Sequence, residues 1–136
     1  MLTKYLNMPR GRNRSNFIDP QAILRNEDLQ GEKWCLRTLT PLINTQLRCM
    51  EWCAERGLLK NGMICNQCNR PTSLNASTRA KDGYKWRCNP CKKCWSIRSD
   101  SFFEGSHLPI DIILQLAYYW SRDTPLHTVS NDLGVS

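Results

Sequence analysis

Eight cysteines stand in this chain of 136 residues, and four of them share a spacing that suits a metal ion: Cys65-x2-Cys68, nineteen intervening residues, then Cys88-x2-Cys91. Two C-x-x-C pairs separated by about 15–20 residues read as a zinc pattern. Each pair makes a tight knuckle that aims two thiolates at one point. Two knuckles brought together by hairpins close a tetrahedron around the ion, with Zn–S distances of about 2.3 Å. Four thiolates leave no coordination position for water, so the expectation is one structural Zn2+. Cys94 complicates the set, because Cys91-x2-Cys94 is also a C-x-x-C pair and Cys94 could replace Cys91 or Cys88. The symmetric two-knuckle arrangement favours Cys91, and Lys92 and Lys93 would favour the thiolate of either candidate. Cys49 and Cys53 lie four apart on a predicted helix, with no His or further Cys pair spaced to complete a site. With Cys35, they read as small buried hydrophobes.

The second group of residues that could do chemistry is basic. Lys81, Lys85, Arg87, Lys92, Lys93 and Arg98 are interleaved with Tyr84, Trp86 and Trp95. On a strand alternate residues share a face, so Tyr84, Trp86 and Cys88 would point one way and Lys85 and Arg87 the other. The aromatics read as packing, Trp86 against the metal site. The basic residues read as a face that follows a phosphate backbone, although a solvated charged face over a small core gives the same pattern. The charge is concentrated there: from Lys60 to His107 stand nine Lys or Arg against three Asp or Glu, in a chain of formal net charge +7. Such a balance favours a polyanionic partner, and DNA is the expected one. Catalysis is not expected. The Asp and Glu residues are scattered, none pair as a two-metal site, and His107 and His127 are isolated, so both read as surface or packing residues.

These groups need elements to position them. The expected fold class is α+β: N-terminal helices, a zinc ribbon of short antiparallel strands, then two helices of an incomplete helix-turn-helix. Residues 1–18 read as a flexible basic arm, 19–59 as a helical segment, 60–107 as the ribbon and 108–136 as the partial helix-turn-helix. Asp19-Pro20 signals a helix to about Gln30, closed by Gly31. Thr40-Pro41 repeats that signal ahead of Leu42, Ile43, Leu47, Met50, Cys53 and Ala54 at helical spacing, with Gly57 as a left-handed cap. Gly83 marks a hairpin turn before Tyr84. After Leu108-Pro109 an apolar helix runs to about Asp123, and Thr124-Pro125 opens another that Gly134 ends. Residues 60–105 hold few large aliphatics, and zinc binding of about 10–16 kcal/mol would dominate the local stability. The N-terminus shows no signal-peptide core and no stretch approaches a membrane span, so a reducing compartment is expected, where clustered cysteines hold metal.

The run Trp86-Arg87-Cys88-Asn89-Pro90-Cys91-Lys92-Lys93, followed by Ser96-Ile97-Arg98-Ser99-Asp100-Ser101-Phe102-Phe103-Glu104-Gly105-Ser106, resembles the N-terminal region of Merlin-type DDE transposases. So do Trp52-Cys53-Ala54-Glu55-Arg56-Gly57-Leu58-Leu59 and the helix that begins at Leu108-Pro109. The resemblance covers roughly residues 45–136. It implies an order of zinc ribbon, helix-turn-helix and ribonuclease-H-like catalytic domain, with Cys65, Cys68, Cys88 and Cys91 as ribbon ligands and a non-cysteine where Cys94 stands. Ser96, Arg98 and Phe102 match the stretch that links ribbon to helices. Ser136 would be the N-cap of the recognition helix, which, like the catalytic domain, is not in this sequence. The expectation is therefore a transposon-derived DNA-binding fragment with weak, poorly specific affinity, nuclear in a eukaryote. The alternative is a zinc-stabilised protein-protein interaction module, with the helices at 41–56 and 109–123 forming the seam of a homo-oligomer.

Overall fold

The computed structural model describes residues 14–43 and 45–134. A single 3-10 turn at Pro20–Ala22 leads into α1 (Asn26–Gln30), α2 (Leu36–Ile43) and α3 (Gln46–Glu55). The strands β1 (Ser73–Ala76), β2 (Tyr84–Cys88) and β3 (Lys93–Ser96) follow, then α4 (Ile110–Ser121) and α5 (Leu126–Leu133). The strands form one antiparallel sheet in the order β1-β2-β3, so the α+β expectation holds. Helices α2, α3 and α4 pack on one another, and α5 leans on α4. No helix is long and apolar enough to cross a membrane.

One hydrophobic cluster joins these parts. It takes Leu39 and Leu42 from α2, Met50, Trp52 and Cys53 from α3, Leu74 and Trp86 from the sheet, Ile97 and Phe103 from the following turns, and Ile110 and Leu114 from α4. The ribbon therefore shares its core with the helices. That sharing supplies the apolar contacts that residues 60–105 lack by themselves.

Several sequence expectations change here. Residues 14–18, assigned to the flexible arm, are tied to the fold, and two of them enter its core: Phe17 and Ile18 are fully buried, and Phe17 meets Trp86 edge-on at 5.3 Å. The backbone is held at both ends, since Leu74 N–H donates to the Arg14 carbonyl at 2.8 Å and Ile18 exchanges two bonds with the Asn61 side chain. Arg14 itself faces Glu51. Arg10 and Arg12 lie outside the described residues. The helix expected over 19–30 is two pieces. Asp19 does cap the first, accepting from Gln21 N–H at 3.0 Å, but Leu24 N–H turns away to the Glu55 carbonyl, and that bond interrupts the run.

The second helix starts before its Thr-Pro signal, and the single helix expected over 41–56 is two, α2 and α3, with Thr45 as the N-cap of α3. Thr38 Oγ1 accepts from Cys35 N–H at 3.1 Å, which satisfies a donor at the helix start and opens α2 at Leu36. Pro41 then falls inside α2, where it removes one backbone donor, and the helix ends two residues later. Cys35, read as core, is only half-buried, its Sγ 3.7 Å from Thr38 Oγ1. Cys49 and Cys53 are buried as expected. The end of α3 also follows expectation. Gly57 takes φ +72°, and Leu58 N–H reaches the Cys53 carbonyl while Gly57 N–H reaches that of Ala54, a Schellman cap. Asp123 closes α4 in the same way at φ +51°, with Thr124 N–H on the Tyr119 carbonyl.

Candidate metal centre

Two knuckles bring four thiols together. The first is pinched by a bridge between Ile64 and Pro71 and by Cys65 N–H donating to the Arg70 carbonyl at 2.9 Å. Inside it Asn69 N–H returns to the Cys65 carbonyl, and Gln67 N–H points at Cys65 Sγ from 3.4 Å. The second knuckle is the connection from β2 to β3, opened by Cys88 at the end of β2. The residue after each C-x-x-C is left-handed: Asn69 and Lys92 both have φ 58°. The two turns are thus built alike, which is the symmetry the spacing suggested.

The Sγ atoms of Cys65, Cys68, Cys88 and Cys91 all lie within 4.8 Å of one another, with Cys68 and Cys88 at 3.5 Å. A tetrahedron with metal–sulfur bonds of about 2.3 Å has edges of about 3.8 Å, so the cluster fits one ion. Cys65 and Cys88 are buried; Cys68 and Cys91 are half-buried. Among the described residues this is the one group of three or more metal-ligating side chains. Register explains why Cys94 is left out. It pairs with Arg87, one step out of phase with Trp86 and Cys88, and so faces the opposite side of the sheet, where it is exposed.

The thiols differ in acidity. Backbone N–H groups of the first knuckle, that of Cys68 first and then Gln67, hold the Cys65 thiol down at about 6 against the burial that opposes them. Burial first, then the neighbouring Cys68, Cys88 and Cys65 sulfurs, pushes Cys91 up to about 12. One thiolate forms easily and a further negative charge beside it is disfavoured. A bound cation is what would allow all four to ionise.

The expected basic residues do not form one face. Lys85 and Arg87 share the outer side of β2 with Cys94 and Ser96 of β3 and Ser73 and Asn75 of β1. Lys92 stands in the second knuckle, Lys93 is exposed opposite Cys88, and Lys81 is exposed in the loop before β2. Arg98 is elsewhere. It is 5% exposed, and its Nε and Nη2 each donate to Asp82 at 2.7 Å while Nη1 donates to the carbonyls of Ser106 and Leu108. It is a buried tie between the β1–β2 connection and the approach to α4, not a member of the exposed basic set. His107 and His127 are both exposed.

Two cations missing from the sequence reading, Arg70 beside the first knuckle and Arg79 in the β1–β2 loop, are exposed. Their signal was plain basic type within the ribbon. Together with Lys81, Lys85, Arg87, Lys92 and Lys93 they make seven cations with no ion pair among the described residues. Outside the ribbon four arginines are paired, although the exposed Arg37 of α2 is not. Arg14 faces Glu51, Arg25 faces Glu27 and Asp28, Arg48 faces Glu55, and Arg56 faces Glu32.

The fold and the site define an α+β chain with a three-stranded sheet beside which four cysteines cluster closely enough to hold a metal ion. No protein-family model, curated protein or solved structure matches it.

Proposed function

We propose that this chain is a zinc-ribbon DNA-binding module of a transposase-like protein, without a catalytic role of its own. The observation that carries the reading is the ribbon's set of seven cations without an ion pair among the described residues, whereas Arg14, Arg25, Arg48 and Arg56 outside it are matched by carboxylates. Cations left without partners on one small unit supply the sequence-independent part of nucleic-acid affinity. An all-thiolate tetrahedral site suits zinc, or a single iron, and the redox-silent ion matches a structural role. The resemblance to Merlin-type transposases supplies the transposon origin, the helix-turn-helix reading of α4 and α5, and the nuclear location in a eukaryote. The non-enzymatic reading is supported by the acids: Glu32, Glu51, Glu55, Asp82 and Asp100 are engaged in ion pairs.

The test is titration of duplex DNA at several salt concentrations. If roughly four of the cations reach phosphates, log K should fall against log[salt] with a slope near about −3.6, and each contact removed should shallow it by about 0.9. A Lys85→Glu, Arg87→Glu variant should therefore weaken binding uniformly across sequences and flatten the slope. Affinity that ignores salt, or a variant indistinguishable from wild type, would sink the reading. A second reading, protein association, is favoured by Trp120 and Leu126, which are 83% and 86% exposed on either side of the α4–α5 turn. Concentration-dependent sedimentation together with no salt-dependent DNA affinity would select it.

A further inference from the structure

The ribbon has two tryptophans in opposite situations. Trp86 is buried on the central strand, whereas Trp95 is half-buried on β3, the edge strand opposite β1. The other edge is covered, since Leu74 of β1 bonds to Arg14. No ring or guanidinium stacks on Trp95 among the described residues. Trp95 lies across from Trp86 and packs partly against the core, and it also lines two open grooves at the sheet edge. One, of about 490 Å3, is lined also by Lys81, Tyr84, Lys85 and Ser99. The other, of about 530 Å3, is lined also by Lys60, Ile64, Asn66 and Ser99.

We propose that the ribbon binds single-stranded nucleic acid along β3, with an unstacked base on the Trp95 indole and adjacent phosphates on Lys81 and Lys85. This rests on the nucleic-acid reading above and names the form of nucleic acid. An aromatic platform beside unpaired lysines is the combination that holds single strands, because every base offers a π-face once it leaves the duplex stack. In a duplex those faces are covered, so Trp95 would contribute nothing to duplex binding. Ser99 lines both grooves with a hydroxyl that has no partner among the described residues, and Asn66 offers an amide in the second; both can meet a base edge. The acids fit the same arrangement. Asp82 is held by Arg98 and Asp100 by Lys60, which leaves Glu104 in the first groove to accept from a base N–H and to turn phosphates toward the lysines. An extended peptide added to the β3 edge is the competing occupant. It is disfavoured because β3 has four residues and carries Lys93, features that blunt an edge against strand addition.

The experiment is fluorescence anisotropy of the metal-loaded full chain with a labelled oligothymidine of about 15 nucleotides and with a duplex of the same length. Trp95→Ala should weaken single-strand binding by about tenfold, Trp95→Phe by much less, and neither should change duplex binding. Unchanged metal content and melting temperature identify variants that keep the fold. If Trp95→Ala does not fold, ultraviolet crosslinking of a bromodeoxyuridine strand to the wild-type chain decides, with the adduct expected on Trp95. Equal single-strand affinity in wild type and a folded Trp95→Ala, or adducts that avoid Trp95, overturns the proposal while duplex binding leaves the module reading standing. Binding of neither DNA defeats both. Displacement of the strand by an acidic peptide that binds more tightly, and loses affinity with Trp95→Ala, overturns the proposal in favour of a protein ligand.

Discussion

Removing the metal is expected to collapse the tertiary structure of the whole described chain, not the ribbon alone. Residues 60–105 by themselves would lose their order, because Cys65, Cys68, Cys88 and Cys91 are what closes the two knuckles. The structure extends the effect. Leu74 and Trp86 of the sheet belong to the same buried cluster as Met50 and Trp52 of α3 and Leu114 of α4, so loosening the strands exposes the helices' packed faces. Structural zinc contributes about 10–16 kcal/mol to folding in small modules, as much as or more than the ~5–15 kcal/mol net stability of an ordinary domain. A chelator should therefore abolish the near-ultraviolet circular dichroism of the buried tryptophans in one transition, and zinc should restore it. The pH dependence has a definite sign. Metal binds thiolates, so affinity falls as protons compete. Burial and the neighbouring sulfurs hold Cys91 protonated, so uptake at neutral pH must drive a proton off it, and metal affinity should fall as the pH is lowered. A spectrum that ignores the chelator would contradict this account of stability.

Arg98→Ala is expected to destabilise the fold by about 3–5 kcal/mol, the cost of leaving one member of a buried ion pair alone. Asp82 is 5% exposed and receives two bonds of 2.7 Å from Arg98, so its carboxylate would be stranded without water or a counter-charge. The carbonyls of Ser106 and Leu108 lose their donor as well. Lysine cannot replace the fork, because one ammonium cannot meet both carboxylate oxygens and two carbonyls at once. Removing both charges together, in Asp82→Ala with Arg98→Ala, should recover part of the loss, since no buried charge then remains unpaired. Urea denaturation of the four variants measures the cycle. A second readout separates this role from phosphate contact: at temperatures where Arg98→Ala is folded, its DNA salt slope should equal that of wild type. A slope shallower by about 0.9 would show that Arg98 touches DNA after all.

The contrast between these two predictions shows what could be read from the chain. The cysteine cluster was legible because its geometry is local: each knuckle is a four-residue turn, and the two need only a hairpin between them. The period-two alternation of β2 was legible for the same reason, and the register it set is what moves Cys94 to the outer face. Gly57 and Gly83, with φ of 72° and 77°, announced their turns because other residues resist that conformation. Arg98 was not legible. In sequence it is one more cation in a basic run, and only the fold brings Asp82, sixteen residues earlier, against it. Phe17 and Ile18 were missed because two apolar residues after a polar, basic stretch carry no period; their burial comes from the sheet and from Asn61. The Thr40-Pro41 signal misled because Thr38 offers an earlier cap, and a proline near the end of a short helix removes a single backbone bond.

The claim on which the rest depends is that Cys65, Cys68, Cys88 and Cys91 hold one metal ion and Cys94 does not. Native mass spectrometry of the wild-type chain, Cys91→Ser and Cys94→Ser, with elemental analysis of the same samples, tests it directly. One zinc per chain in wild type and in Cys94→Ser, with loss or strong weakening in Cys91→Ser, is the predicted result. A wild-type chain that carries no metal, or a Cys94→Ser variant that loses it while Cys91→Ser retains it, would contradict the site.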